Sequence, residues 1–193
     1  MARPKAFDRT EILDKAMELF WYRGYEATSI HDLLEHLGIS RQSLYDTFGD
    51  KHALFLEALN RYEQQGKASM AAVLDAPGSG KEAIARAFRY VVQSYAQKTS
   101  RRGCFIVNST IELAPHDPEV AQYVTESFAC THQAFLRALQ RAQEQGELHA
   151  QHDLNSLARF LTTTLQGIHV AAKAGTDLAE LHDVARVALS VLA

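Results

Sequence analysis

The sequence is poor in the features that would place it outside the cell, in a membrane or among enzymes. Its 193 residues include two cysteines, Cys104 and Cys130, too few for a disulfide framework and suited to a reducing cytoplasm. Charge interrupts every apolar run well before the roughly 18 residues that a membrane-spanning helix needs. The start, MARPKAFDRTEIL, lacks the apolar core of a secretory signal. A cytoplasmic protein with no membrane partner is expected. No phosphate loop, HExxH or GxSxG elbow is present, so no catalytic residue is assigned and no cofactor is implied. His149-x-x-His152-Asp153 has metal-ligand types, but further ligands at characteristic spacing are missing and no metal site is assigned. An excess of positive charge is also missing. The net charge is −3, and residues 1–60 carry 7 Lys/Arg against 10 Asp/Glu. Nucleic-acid binding therefore has to rest on a local footprint, for which Arg3, Lys5, Arg9, Arg41 and Lys51 are the candidates.

What is present is an ordinary globular composition, 47% hydrophobic and 22% charged, patterned as helix from end to end. Ile12, Ala16, Leu19 and Phe20 recur at helical spacing behind Asp8 and Glu11, a capping-box-like start. Arg23-Gly24-Tyr25 ends that helix. Ser29 with Asp32 gives a second capping box, opening a helix that buries Ile30, Leu33, Leu34 and Leu37. Asp50 suits the cap of a fourth helix, with Leu54, Phe55, Ala58, Leu59 and Tyr62 on one face, running into the low seventies. Residues 75–80 form the clearest loop. Helical patterns follow at about 81–98, 104–114, 118–145, 154–174 and 178–192. The division falls near residue 50, giving modules at 1–50 and 51–193, with a continuous helix leaving the junction as a rigid connection.

Residues 28–51 carry the most chemistry. Two short helices meet at Gly38, which supplies a left-handed turn; Ile39 packs inward and Ser40 caps the second helix. That is the layout of a helix-turn-helix, whose second helix enters the DNA major groove. Rotation at about 100° per residue puts Leu44 and Phe48 on the buried face and leaves Gln42, Ser43, Tyr45 and Asp46 available. Arg41 lies nearer the buried face, but its long stem reaches outward. Arg pairs with guanine and Gln with adenine, while Ser is permissive. Tyr45 and Lys51 are better placed for phosphates.

The pattern T-S-I-x-D-L, then L-G-I-S-x-x-S-L-Y-x-x-F-x-D-K-x-x-L, resembles the TetR/AcrR family of bacterial transcription regulators. The matching residues are Thr28, Ser29, Ile30, Asp32, Leu33, Leu37, Gly38, Ile39, Ser40, Ser43, Leu44, Tyr45, Phe48, Asp50, Lys51 and Leu54, and Ala16, Leu19, Phe20, Gly24 and Tyr25 fit the family's first helix. The resemblance implies an all-α fold: an N-terminal three-helix DNA-binding module, then a larger helical domain that binds an effector and dimerises. It also implies DNA contacts at His31, Ser40, Arg41, Gln42, Ser43, Tyr45, Thr47 and Lys51, with backbone contacts near Thr28 and Ser29. His31 fits an exposed helix residue equally well. The arm around Arg3 and Lys5 is expected to reach an adjacent minor groove.

In the larger module, the last two helical patterns have broad apolar faces, including Leu157, Phe160, Leu161 and Leu165, then Leu181, Val184, Ala188 and Leu192. The resemblance makes them a homodimer interface, matching a palindromic operator. It also implies a pocket for an unknown small-molecule effector, with lining expected from Tyr90, Tyr95, Cys104, Phe105, Asn108, Phe128, His132, Gln166 and His169; mixed aromatic and polar residues suit such a cavity and an ordinary core alike. Cys104 follows Arg101-Arg102-Gly103 and opens a helix, a setting that favours a reactive thiolate and hence an oxidant or electrophile sensor. The expected function is a ligand-responsive transcription regulator, a repressor released from operator DNA by its effector. The alternatives are a redox-sensing regulator acting through Cys104 and a helical enzyme with a structural N-terminal module.

Overall fold

The computed structural model describes residues 7–96 and 102–193, and the side chains of 67–69 are not part of the description. Nine α-helices are found among the described residues: α1 (Arg9–Arg23), α2 (Ile30–Leu37), α3 (Arg41–Phe48), α4 (Lys51–Leu74), α5 (Gly80–Ser94), α6 (Phe105–Glu112), α7 (Pro118–Glu144), α8 (Leu154–Ala174) and α9 (Leu178–Leu189), with a closing 3-10 turn at Ser190–Leu192. The all-α reading holds among the described residues. Arg3 and Lys5 lie outside the described residues.

Side-chain caps set most of the helix starts. Asp8, Asp50, Asp117 and Asp153 each accept backbone N–H bonds at the entrances of α1, α4, α7 and α8, where a carboxylate meets unpaired donors and the positive helix end. Pro118 takes the first-turn position of α7, where its missing N–H removes no bond. The capping box at Ser29 and Asp32 is complete. The one expected at α1 is half-formed: Asp8 caps, but Glu11 reaches Lys15 instead, at 2.7 Å. Gly38 ends α2 at φ 66°, in the left-handed region that turns the chain into α3.

The apolar faces of these helices close two cores. The first joins α1, α2, α3 and the N-terminal half of α4 to α6 and the start of α7, through Phe20, Leu33, Leu44, Phe55, Phe105 and Val120 among others. Phe55 is its hub, meeting Phe20, Tyr25 and Phe105 edge-on at centroid distances of 5.2, 4.9 and 5.5 Å; truncating so buried a ring costs about 3–5 kcal/mol. The second core joins the end of α4 to α5, the rest of α7, α8 and α9, around Phe88, Phe135, Leu139, Leu161 and Leu181. The expected division at residue 50 thus falls on a loop, while packing crosses it: Leu54, Phe55, Phe105 and Val120 belong to the same core as Leu44 and Phe48 of α3.

Candidate DNA-reading surface and effector chamber

The second helix of the helix-turn-helix is held as its sequence demands. Leu44 and Phe48 are buried, and Ser40 accepts the Ser43 N–H at 3.1 Å. The opposite face presents Arg41, Gln42, Tyr45 and Asp46 to solvent, with Ser43 half-buried beside them and its hydroxyl 2.9 Å from that of Ser40. Gln42 Nε2 donates to Asp46 Oδ1 at 2.8 Å. That bond orients the amide and leaves its carbonyl oxygen and second hydrogen for a base edge, and it gives the Asp46 carboxylate a partner within its own helix. His31 and Ser29 are exposed on the preceding helix and its cap.

The positive footprint is smaller than the sequence suggests, because one of its cations is neutralised by an ion pair within the protein. Arg9 pairs with Glu57 at 2.6 Å and lies over the Phe48 ring. Lys51 rests its ammonium 4.0 Å from the centroid of Tyr25. Burial holds the Lys51 pKa below its ordinary value, opposed by Glu26 and Glu112. Arg41 remains exposed. On α2, Asp32 is drawn down to about 2 by hydrogen bonds from the Ser29 hydroxyl and backbone, then by Arg23 at 2.8 Å.

Two of the residues expected at DNA have their hydroxyls turned into the fold. Thr28 is fully buried and its hydroxyl donates to the Gly24 carbonyl at 2.6 Å, closing the turn between α1 and α2. Its side chain serves the fold. The Thr47 hydroxyl is also out of solvent, with no hydrogen-bond partner, so the side chain points toward the packed side of α3.

The short helix α6 is fastened to the DNA-reading module at both ends. At its start, the Trp21 indole donates to the Gly103 carbonyl at 3.0 Å and the Arg102 guanidinium stacks over Trp21 and Tyr22. At its end, the Glu112 carboxylate accepts the Glu26 N–H at 2.9 Å and lies against Gly24. Just beyond, His52 on α4 meets Asp117, the cap of α7, at 2.6 Å.

Between the two cores runs a polar seam. The Tyr95 hydroxyl and His169 Nδ1 are hydrogen-bonded at 2.5 Å, and burial lowers the histidine pKa to about 4, so the ring is neutral. The Tyr62 hydroxyl bonds the Cys104 thiol, and the Tyr123 hydroxyl bonds Glu63. His132 Nε2 is buried without a partner, and Gln166 lies half-buried three residues before His169. Tyr95, Cys104 and His169 thus gather here. Tyr62, Glu63 and Tyr123 join them although sequence reasoning missed them. Tyr62 reads there as core, and periodicity carries no signal for a hydroxyl at the end of an apolar ring.

Other expected lining residues lie elsewhere. Tyr90 is 49% exposed on the outer face of α5. Phe105 is buried in the first core, edge-on to Phe55 and Tyr62, and Phe128 packs against that same core. Asn108 donates to the Arg102 carbonyl at 2.9 Å, tying down the loop before α6. The expected Cys104 thiolate is not favoured either. Burial raises the thiol pKa, outweighing the nearby helix N–H groups. Arg102 is turned to Trp21 and Tyr22, and Arg101 lies outside the described residues.

A third surface lies on the last two helices. Phe160, Val170, Val184 and Val187 are exposed there, half of the eight large exposed hydrophobics among the described residues. Phe160, Val184, Val187 and Ala188 border a shallow groove. No helix among the described residues is long and apolar enough to cross a membrane.

Comparison with known proteins decides the family. The model described as "Bacterial regulatory proteins, tetR family" matches residues 12–58, and that described as "Tetracyclin repressor-like, C-terminal domain" matches 80–188. The chain belongs to the TetR family of bacterial transcriptional regulators. Among curated TetR-like relatives, it is 44% identical over 193 residues, all of both chains, to the uncharacterized HTH-type transcriptional regulator YezE of Bacillus subtilis (strain 168). It is 35% identical to the HTH-type transcriptional repressor ComR of Escherichia coli (strain K12), covering 97% of this chain and 90% of that one. Among solved structures, a cysteine mutant of the TetR family transcriptional regulator CifR, complexed with 26bp double-strand operator DNA, matches with a TM-score of 0.89 and 34% identity over 98% of both chains. The N-terminal TetR match ends inside α4 at residue 58, within the first core rather than at the Asp50 cap. As a family of regulators, it leaves no role for the enzyme alternative.

Proposed function

We propose that this TetR-family regulator is a homodimeric repressor, which reads a palindromic operator through α3 and is released by a small molecule entering the seam between its two cores. The observation that carries the reading is the exposed face of α3. Arg41, Gln42 and Tyr45 are held outward there by buried Leu44 and Phe48. Arg41, Gln42 and Ser43 read base edges. Tyr45, Ser29, Ser40, His31 and Lys51 grip the phosphates, and the arm bearing Arg3 and Lys5 adds contacts in the minor groove. The full-length likeness to a CifR–operator complex and to the repressor ComR supports DNA as the partner and repression as the outcome.

Dimerisation is supported by the apolar face of α8 and α9. A two-fold interface there brings two copies of α3 to half-sites about one helical turn apart. Release follows from the construction of α6. Its N-terminal end contributes Cys104 to the seam and both ends grip the DNA module, so a ligand that spreads the seam shifts α1 and α4, and with them α3. The effector acts only if it binds the DNA-incompetent arrangement more tightly. Tyr95, His169, Gln166 and His132 supply polar contacts in a mostly apolar setting.

Sedimentation and footprinting of the complex with DNA from upstream of the protein's own gene test this. Two chains per DNA and two protected segments about 10 bp apart, centre to centre, are expected. Phe160→Glu, which places a charge on the apolar face, is expected to yield monomers that lose this pattern. One chain per DNA, or a dimer unaffected by Phe160→Glu, contradicts the proposal.

A further inference from the structure

On the outer side of the larger domain, away from the seam, α4 and α5 enclose an open groove of about 670 Å³. Its shape follows from the sequence. Small side chains at the end of α4 and just beyond it, Ala72, Val73 and Ala76, face longer ones on α5, Arg86, Arg89 and Tyr90, which share one stripe at helical spacing. The opposite stripe of α5, including Ile84, Phe88, Val91 and Val92, is spent on the second core. The volume falls within the range of roughly 300–1,000 Å³ typical of small-molecule sites.

The charge in this groove is unevenly spent. Arg89 is ion-paired with Glu82. Arg86 is not: its Nη2 is withdrawn from solvent and has no hydrogen-bond partner. A guanidinium stays protonated and offers donors in a fixed fork that fits a carboxylate, and Arg86 lines the groove. Beside it stand a half-exposed tyrosine ring and the methyl groups of α4. We infer that the α4–α5 groove binds a small amphiphilic carboxylate, its acid group on Arg86 and its aromatic or short aliphatic body against Tyr90, Ala72, Val73 and Ala76. One free guanidinium between apolar walls matches a single negative charge. A phosphate or sulfate ester of higher charge would be left partly uncompensated. A ligand here touches α4, the helix that continues into the DNA-reading module, at a place distinct from the seam.

The test uses the full chain without DNA, so its outcome does not depend on operator binding. Methyl NMR follows Ala72, Val73 and Ala76 during titration with 4-phenylbutyrate, its neutral isostere 4-phenylbutyramide as control. Saturable shifts at those methyls are expected with the acid, and at least about tenfold weaker binding of the amide and of the acid to Arg86→Met, a loss of about 1.4 kcal/mol. Arg86→Met is also expected to melt no earlier than the parent, since it removes an unsatisfied buried group. Equal affinity for acid and amide, shifts confined to Ile168 and Ala172 in the second core, or no saturation in the millimolar range each overturn the proposal. The acid–amide comparison needs no variant and decides even if Arg86→Met folds poorly.

Discussion

At the scale of the residue, two hydroxyls and one carboxylate show how position and role separate. Thr47 sits where the family pattern suggests a DNA contact, but its hydroxyl is buried and unpaired. Thr47→Val keeps the shape and removes the unsatisfied group, so it is expected to leave operator affinity within about twofold and to hold or raise stability. A tenfold loss of affinity in a gel-shift titration would return Thr47 to the contact list. Asp32 is the reverse case, a half-buried carboxylate tied to Ser29 and Arg23 and lowered to about 2. Its folded pKa lies below the ordinary value of 3.8. Its contribution is therefore complete above about pH 4 and lost as pH falls toward 2. Asp32→Asn should flatten the stability–pH curve in that window; an unchanged curve counts against the cap. The burial of Leu44 and Phe48 was legible from rotation alone, since helical geometry fixes direction from Cα. The fate of Thr28 and Thr47 was not, because a short hydroxyl is satisfied or orphaned by neighbours that rotation does not name.

At the scale of the element, α6 is the helix whose role the sequence concealed. Its eight residues read only as a short apolar helix, while its purpose lies in what holds its ends, namely Trp21, Glu26 and their surroundings, some 80 residues away along the chain. Gly24 exposes this tie to measurement. It adopts φ 88° and ψ 169°, a region that costs non-glycine residues about 1–3 kcal/mol, and a Cβ there would meet the Glu112 carboxylate at 2.9 Å. Gly24→Ala is expected to destabilise by more than the backbone strain alone, and Glu112→Ala to restore the excess in a double-mutant cycle followed by denaturant unfolding. Strict additivity would mean that α6 and the α1–α2 turn are not coupled as described. Helix existence was readable here, since caps and periodicity are local. Partnership was only partly so: Tyr62, Glu63 and Tyr123 join Cys104, Tyr95 and His169 through packing that periodicity does not show.

At the scale of the whole molecule, an acidic protein is asked to bind a polyanion. The net charge is −3, and the structure pairs Arg9 with Glu57, while Lys51 keeps its charge against the Tyr25 ring. Affinity then has to come from a few placed contacts and not from a general positive field. A modest dependence on salt follows, because few counterions are displaced. The two-core architecture serves the same end: α3 belongs to a core that α6 and α7 complete, so the small module moves with the larger domain. The most direct measurement is fluorescence anisotropy of the operator fragment across a salt series, with parent, Arg41→Ala and Tyr45→Ala proteins. Arg41→Ala is expected to weaken operator binding by about 1–3 kcal/mol and to blur discrimination against unrelated DNA, while Tyr45→Ala weakens both alike. Operator affinity and discrimination unchanged in both variants would contradict the assignment of α3 as the DNA-reading helix.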